Sequence, residues 1–401
     1  MKLALVTDSV VARSHGTGNL LIRLLEGGPV SVSAFHPGPA TSPPDFPSFA
    51  VTGRKTAAGV RDALRRRLPG FIRGAVPSPG SIRRWRYSPD AKAARHLNDA
   101  DIVLVVVHTA DGLRFAHDLV ASLSAPKPVV LWFMDLVVAR EDIGDPRRSL
   151  PLFEQARIWA FNSRIRCGLA ELFPERRQEI EQHRFLGVRL PKPGPKLVRP
   201  LAADTRCVMI GNIWDASVLP LLDAVWQRAC ALHGTQLILR WFAPPEAFER
   251  LAGAALGRGL RYEGHAGNLE EVLRQADAAI VAFAGPSPEP SLFSRHSFPS
   301  RVADYAANGL PVFAICGHHT ALADYMNESG AGEYDTAESV EQAATACAQF
   351  LTSIPLREKY SRQARKYAES NFDLEQQRSL FTSELAAVLP PGPHSQRQSS
   401  R

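Results

Sequence analysis

Short unbroken apolar runs alternate with amphipathic stretches along the first half of the chain. Leu3-Ala-Leu-Val-Thr-Asp8, Val30 to Phe35, Val129 to Phe133 and Ile158 to Asn162 each read as a short buried strand. In Leu97-Asn-Asp-Ala-Asp-Ile-Val-Leu-Val-Val-Val-His108 a helix end runs into a fully apolar strand. Runs of this length, bounded by turn residues and lacking alternation, fit strands covered on both faces, as in parallel sheets. Gly16-Thr-Gly18 reads as a loop, with helices starting at Asn19 to Leu25 and covering Leu113 to Ser122. Residues 37 to 53, rich in Pro, Ser and Thr, read as a further loop. Strand, glycine turn, helix and strand in this order predict a parallel α/β unit.

Gly187 to Ala203 carries Pro191, Pro193, Pro195 and Pro200 and reads as a linker. Beyond it the pattern restarts. Cys207-Val-Met-Ile-Gly211 predicts a strand, Val218 to Leu232 a helix and Gln236 to Trp241 a strand. Leu273-Arg-Gln-Ala-Asp-Ala-Ala-Ile-Val281 then echoes Leu97 to Val105 as L-x-x-A-D-x-x-x-V. The echo predicts two similar doubly wound domains, whose strand carboxyl ends are where ligands bind in such folds; the plainer reading is ordinary punctuation before a strand. The predicted organisation is 1–188 as the N-terminal domain, 189–203 as linker, 204–370 as the C-terminal domain, 371–389 as a closing helix and 390–401 as a disordered Pro/Ser/Gln tail.

Composition narrows the function classes. The chain has 401 residues, 45% hydrophobic and 22% charged, with a net charge of +7. The excess is local: from Arg54 to Arg95 stand twelve basic residues and two acidic ones, so a uniform polyanion-binding coat is excluded. Arg65-Arg-Arg67-Leu-Pro-Gly-Phe-Ile-Arg73 mixes cations with apolar residues, as a membrane-surface element does, although a solvated helix and loop has the same composition. No recognition motif or aromatic platform accompanies this charge, so no nucleic-acid partner is expected. The five cysteines are scattered without a C-x-x-C pair, which speaks against a disulfide framework or a zinc ribbon and for a reducing compartment. The most apolar window, Pro128 to Ala139, is too short to span a bilayer and carries Asp135. No signal peptide is read at the start, and a cytoplasmic location is expected, with peripheral contact at the inner membrane face through 54–95.

The chemistry concentrates in Ser297-Phe-Pro-Ser-Arg-Val-Ala-Asp-Tyr-Ala-Ala-Asn-Gly-Leu-Pro-Val-Phe-Ala314. Pro299 suits the first turn of a helix. Ser297 and Ser300 stand where a phosphate meets hydroxyls and free N–H groups, and Asp304 follows one turn later. Gly309 ends the helix before a buried strand. Phosphate at the helix start and a carboxylate one turn on suit a nucleoside diphosphate and its ribose; the plainer reading is a capped helix with a solvated Asp.

This segment resembles the donor-site signature of retaining GT-B-fold glycosyltransferases of the family 4-like, sugar-nucleotide-using group. Pro299-Ser-Arg301 and Asp304-Tyr-Ala-Ala-Asn-Gly-Leu-Pro-Val312 carry the likeness. Gly16-Thr-Gly18, Arg206 to Gly211, Leu260 to Gly264, Gln275-Ala-Asp277, Gly330-Ala-Gly332 and Pro355 to Phe372 follow in the same order. The resemblance implies an α/β, GT-B-like fold of two Rossmann-type domains facing across a cleft, with a C-terminal helix crossing back. It implies a glycosyltransferase that retains anomeric configuration and uses a nucleotide-sugar donor, with no cofactor and no metal. Its acceptor would be a sugar, a glycan or a lipid-linked molecule. By the same resemblance Asp304 binds the donor ribose, and Gly16, Thr17, Gly18, Ser297, Pro299, Ser300 and Arg301 face the donor phosphates. His108 stands near the reacting sugar and Asp135 faces the acceptor, where plainer readings are a capped strand-end histidine and a helix N-cap.

The sequence departs from the family pattern at the phosphate clamp. Gly211-Asn212 stands where Gly-Arg is usual, and no Lys occurs between Lys196 and Lys359. His296 stands where the first acid of a Glu-x7-Glu pair is expected. The diphosphate charge then falls to Arg301, with Arg240 or Arg295 as alternatives. Two other functions remain open on these residues: a sugar-nucleotide epimerase or other enzyme of the fold, and a binding protein without catalysis.

Overall fold

The apolar runs form strands because helices cover both faces of each sheet. In a computed structural model, the described residues are 1–8, 11, 16–37, 46–51, 53–55, 85–136, 152–153, 155–191, 198–200, 205–213, 216–251, 259–287 and 291–390. The chain divides into two units, Met1–Phe185 with Arg378–Arg401, and Leu186–Gln377. The sequence-based boundary at 188 lies three residues beyond the first division.

In the first unit the order is β1 (Lys2–Thr7), α1 (Gly16–Leu25), β2 (Ser31–His36), β3 (Ser48–Ala50), β4 (Gly53–Lys55), β5 (Trp85–Tyr87), α2 (Ala91–Asp99), β6 (Ile102–Val107), α3 (Ala110–Val120), β7 (Val129–Phe133), β8 (Ala156–Ala160), α4 (Ser163–Leu172) and β9 (Ile180–Gln182). Seven strands form a parallel sheet in the order β3-β2-β1-β6-β7-β8-β9. Every residue of β6 and β7 is buried.

The second unit runs β10 (Cys207–Ile210), α5 (Val218–His233), β11 (Leu239–Phe242), α6 (Pro245–Arg250), β12 (Leu260–Gly264), α7 (Leu269–Gln275), β13 (Ala278–Ala282), α8 (Leu292–His296), α9 (Arg301–Ala307), β14 (Val312–Ile315), α10 (Ala321–Ser329), β15 (Gly332–Asp335), α11 (Val340–Thr352) and α12 (Ile354–Asn371). Its sheet is also parallel, in the order β12-β11-β10-β13-β14-β15. Each sheet therefore starts in its middle and reverses direction of growth once, beside β1 in one and beside β10 in the other. The carboxyl ends of strands flanking such a reversal form a natural crevice.

The Ala-Asp echo has a structural cause. Lys2 N–H donates to Asp101 Oδ2 (2.7 Å) while Asp101 N–H donates to the Lys2 carbonyl (2.9 Å). Arg206 N–H likewise donates to Asp277 Oδ2 (2.9 Å), and Asp277 N–H to the Arg206 carbonyl (2.8 Å). In both units the aspartate closes a ring onto the start of the first strand, at the first residue of β1 and at the residue before β10. Ala100 and Ala276, its neighbours, are buried.

Several expectations change. Gly16, Thr17 and Gly18 form the first turn of α1 rather than a loop, because the helix buries Leu20, Leu21, Leu24 and Leu25. That burial outweighs the ~1 kcal/mol helix penalty of a glycine. The loop read over 37–53 contains β3, held by Phe49 stacking on Phe35 at 5.3 Å, and the first residue of β4. The strand read from Gln236 begins at Leu239. Most of the basic segment, 56–84 with Arg65 to Arg73, lies outside the described residues, as does the tail 391–401.

The Pro-rich linker is anchored at its described ends. Val188 bridges to Asp373, Arg365 Nη2 donates to the Pro191 carbonyl (3.1 Å), and buried Arg357 Nη2 donates to that of Arg199 (2.7 Å). The last helix, α13 (Leu374–Val388), belongs to the first unit from Arg378 onward. There Arg378 donates to the carbonyls of Arg23 (2.8 Å) and Glu26 (2.6 Å), and Phe381 packs at 5.0 Å from Phe185. Among the described residues no helix is long and apolar enough to cross a membrane.

The aspartate rings make a stability prediction. Asp277→Ala and Asp101→Ala should each lose about 1 kcal/mol, seen as a Tm lower by roughly 2–4 °C. Asn at either position keeps the acceptor oxygen and should recover more than half of the loss. Thermal unfolding followed by circular dichroism checks this; alanine variants that melt with the wild type would remove the rings from the account.

Candidate functional site

Side chains gather at the carboxyl ends on the reversal side of each sheet. In the first unit they come from β1, β6 and β7. His108 follows β6, and its Nδ1 lies 2.9 Å from Asp135 Oδ2, just past β7. An ionised carboxylate only accepts, so Nδ1–H donates and Nε2 is left for another partner. His108 is only 8% exposed, and Nε2 is buried with no hydrogen-bond partner. Burial is the largest influence on this imidazole and opposes its charge. The hydrogen bond to Asp135, the charge of Asp135 and the charge of Asp8 together outweigh burial and raise its pKa.

Next to His108, Thr109 caps α3, its Oγ1 accepting from Gly112 N–H at 3.1 Å. The same hydroxyl donates to Asp8 Oδ2 at 2.5 Å. Sequence reasoning missed Asp8, which reads as the polar end of a strand. Asp135, read alternatively as a helix cap, makes its described contact with the histidine.

In the second unit the site is built around Gly211, directly after β10. Its φ is +109°, a backbone region that side chains rarely adopt. Its N–H donates to the Phe242 carbonyl (2.9 Å) and its carbonyl accepts from Trp241 Nε1 (2.9 Å). A methyl added at Gly211 would touch Arg301 Cγ at 3.6 Å, so this backbone runs against the arginine side chain. Arg301 Nη1 lies 3.4 Å from Asp304 Oδ2, and Asp304 is 8% exposed. Tyr305, the next residue, accepts from Ile210 N–H at 2.8 Å and so fastens α9 to the end of β10. Burial pushes its phenol pKa up. Tyr305 was also missed, although it lies inside the segment singled out.

The remaining expected donor residues spread around this centre. Ser297 is 2% exposed, its Oγ buried with no hydrogen-bond partner. Ser300 precedes α9 without a side-chain cap, and the Pro299 carbonyl accepts from Val302 N–H. His296 is buried, with Nδ1 2.8 Å from the Leu292 carbonyl. Asn212 is exposed. Arg240 is not brought to Gly211 by any described contact; its Nε donates to Glu263 Oε1 at 2.7 Å. Burial raises the pKa of Glu263, but its bonds to Arg240 and Arg261 prevail and lower it. Gly16, Thr17 and Gly18 belong to the first unit.

Two carboxylate groups elsewhere bear on metals. The sequence's Asp-x-Asp triplet, Asp99-Ala-Asp101, is engaged by Lys2, whose Nζ lies 2.8 Å from Asp99. On the outer strand of the first sheet and α13, ligand atoms of Glu181, His183 and Glu384 lie within 4.8 Å of one another. Glu181 Oε2 there already accepts from Trp159 Nε1 (3.1 Å) and lies 3.0 Å from His183 Nε2.

The His108–Asp135 pair makes a pH prediction. A pKa raised in the folded state contributes stability that is complete below the unfolded value of ~6.5 and is lost as pH rises through the folded value. Asp135→Asn removes the leading upward influences and leaves burial opposed by Asp8 alone, so the His108 midpoint should fall below that of wild type. NMR titration of His108 checks it, and an unchanged midpoint would break the pairing argument. The urea-derived stability of the variant should also vary less across this window.

No protein-family model matches the chain, and no curated protein matches it in sequence. Solved structures do match in three dimensions. A glycosyltransferase from Rickettsia africae ESF-5 is similar at TM-score 0.63 and 13% identity, covering 98% of this chain and 99% of that one. Anabaena Alr3699/HepE in complex with UDP-glucose is similar at 0.62 and 12%, covering 96% and 100%. An α,α-trehalose-phosphate synthase (UDP-forming) from Burkholderia vietnamiensis is similar at 0.60 and 15%, covering 96% and 98%. At such identities the likeness speaks for the fold alone. With two parallel Rossmann-like sheets, each flanked by helices and reversed once, the chain adopts the GT-B fold.

Proposed function

We propose that this chain is a glycosyltransferase that moves a sugar from a nucleoside diphosphate to a hydroxyl acceptor. The observation that carries the reading is the Arg301–Asp304 pair beside Gly211, at the reversal of the second sheet. A departing diphosphate gains negative charge, and a guanidinium accommodates it through a planar pair of donors. A buried carboxylate one turn on accepts from ribose hydroxyls, which a phosphate-binding cation alone does not explain. Ser297 Oγ, buried and unpaired, adds a hydroxyl for the same ligand. Crystal structures of the similar HepE protein contain UDP, and UDP-glucose, which makes uridine the first base to try.

The acceptor, a sugar, a glycan or a lipid-linked molecule, belongs to the first unit with His108 and Asp135. The bond between the sugar C1 and the phosphate oxygen breaks, and the acceptor oxygen forms the new bond to C1. The acceptor proton passes to the departing phosphate oxygen, on the same face, so configuration is retained. Arg301 carries the charge neutralisation that a divalent ion would otherwise supply. A second reading, nucleotide binding without turnover, is favoured by exposed Asn212, a neutral residue where the resembling family has arginine.

UDP at one hundred times its Kd should stabilise the protein by about 2.7 kcal/mol, with GDP and ADP weaker. Arg301→Ala or Asp304→Asn should weaken UDP at least tenfold, about 1.4 kcal/mol. Thermal shift supplies the first measurement, and UDP release from UDP-sugars, with NMR of the product anomer, the second. Stabilisation without release on any acceptor would favour the second reading, and no nucleotide effect at all would sink both.

A further inference from the structure

The outer edge of the first sheet carries ligand-type side chains that the transfer reaction leaves unused. β9 is the last strand of that sheet, with Glu181 on it and His183 just past its end. His183 N–H still donates to the Ala160 carbonyl (2.9 Å), so the extended backbone continues through it. Two residues apart on an extended chain, Glu181 and His183 leave the same face. Glu384 comes from α13, which packs here through Phe381 against Phe185 at 5.0 Å, Trp132 at 6.0 Å and Trp159 at 6.5 Å. A residue three positions further on shares that side of the helix, so the packing that buries Phe381 also brings Glu384 to His183. One nitrogen of His183 and one carboxylate oxygen from each glutamate lie within 4.8 Å of one another. All three residues belong to the first unit.

Two of the three are held in place by their surroundings. Trp159 Nε1 donates to Glu181 Oε2 at 3.1 Å. The His183 ring stacks on Phe185 at 5.3 Å, with 10° between the planes, and meets Trp159 at 4.6 Å. His183 Nε2 lies 3.0 Å from Glu181 Oε2, near the roughly 3.3 Å between two ligands of one tetrahedral zinc ion. A histidine–glutamate ion pair accounts for that distance but not for Glu384. The Glu384 carboxylate makes no hydrogen bond or ion pair among the described residues, yet it stands beside a second carboxylate. Like charges this close repel, and a cation between them removes the repulsion. Arg157 Nη1, 3.9 Å from Glu181 Oε1, serves Glu181 alone.

We propose that Glu181, His183 and Glu384 bind one divalent transition-metal ion of the zinc class, which ties α13 to the outer strand. The donor set selects the ion. An imidazole nitrogen with two carboxylates suits zinc, whereas calcium and magnesium take oxygen ligands. Three protein ligands leave a fourth position for water. Trp159 is a positioning residue, because an indole N–H on a ligating carboxylate fixes its orientation. The His183 side chain is only 14% exposed, so the attraction for a cation is screened less than at an open surface. The role of the ion is structural. β9 stands four strands from β1, roughly 19 Å at about 4.8 Å per strand, so the ion takes no part at the reversal of the sheet. Nothing in the site depends on the chain being a glycosyltransferase.

The test titrates zinc chloride into the whole, chelator-treated protein and follows heat, thermal unfolding and the signals of 15N-labelled histidine. A single ion per chain should bind with a micromolar Kd and shift the ring signals of His183. At one hundred times its Kd it should raise the unfolding temperature by roughly 5 °C. His183→Ala and Glu384→Gln should each weaken zinc at least ~tenfold. Magnesium at the same concentration should not bind. Cys167→Ser, which removes the exposed thiol, should keep the wild-type affinity. Glu384→Gln is the informative variant: without metal it should melt no lower than wild type, because it loses a repelling charge and no partner. Zinc bound by His183→Ala or Glu384→Gln as tightly as by wild type would overturn the proposal. So would loss of binding in Cys167→Ser, a metal-free Glu384→Gln protein that melts lower, or no binding up to about 1 mM zinc.

Discussion

An aspartate whose carboxylate and N–H both bond to the backbone at the start of the first strand sets the geometry on which both candidate sites depend. Parallel strands have no hairpin to set their register, so something must fix the first strand against the strand where the sheet reverses. Asp101 and Asp277 do this in the two units by the same pair of bonds. With Leu3 opposite Ile102 and Cys207 opposite Ala278, the ladders begin in matching positions. A slip of one residue would turn every side chain of the strand to the other face. The strand ends that carry Asp8, His108 and Gly211 would then point elsewhere. A carboxylate on a single methylene reaches the neighbouring N–H while its own N–H donates back. A glutamate arm would overshoot that ring.

From this common frame the two units diverge in how they spend their polar groups. The second unit satisfies its backbone at the reversal internally. Ile210 N–H goes to Tyr305, Gly211 N–H to Phe242, and the Gly211 carbonyl to Trp241. The polarity left at this end of the sheet is therefore that of side chains, Arg301 and Asp304 with the Ser297 hydroxyl. Tyr305 is central here, because fastening α9 to β10 brings the aliphatic part of the Arg301 side chain beside Gly211. Mutual pairing of Arg301 and Asp304 at 3.4 Å is loose. A looser pair costs less to separate, so a ligand that gave Arg301 an anion and Asp304 hydroxyl donors would meet a smaller penalty.

Features carried by local sequence were legible, and those carried by distant partners were not. Strands such as Val129–Phe133 are legible because burial on both faces demands an unbroken apolar run. The Ala-Asp echo is legible because each ring uses one residue and its immediate setting. The glycines at 16 and 18 misled, since local propensity says loop while the leucines of the same helix decide otherwise. Asp8 and Tyr305 were invisible for another reason: their partners Thr109 and Ile210 lie 101 and 95 residues away. Arg240 looked like a spare cation until the fold set Glu263 beside it. Charge inventories from sequence overcount free cations whenever neighbouring strands carry the opposite sign, and β11 and β12 do.

The first unit shows what remains once such pairings are removed from consideration. His108 has one nitrogen committed to Asp135, and Asp8 has one oxygen committed to Thr109. Each commitment orients the group and leaves its second atom aimed elsewhere. Were the role purely structural, an apolar pair of similar volume would pack the same space without desolvating a charge. The raised pKa of His108 sharpens the point, because burial alone would lower it. Two carboxylates are thus arranged to favour the charged imidazole in a place where burial opposes charge.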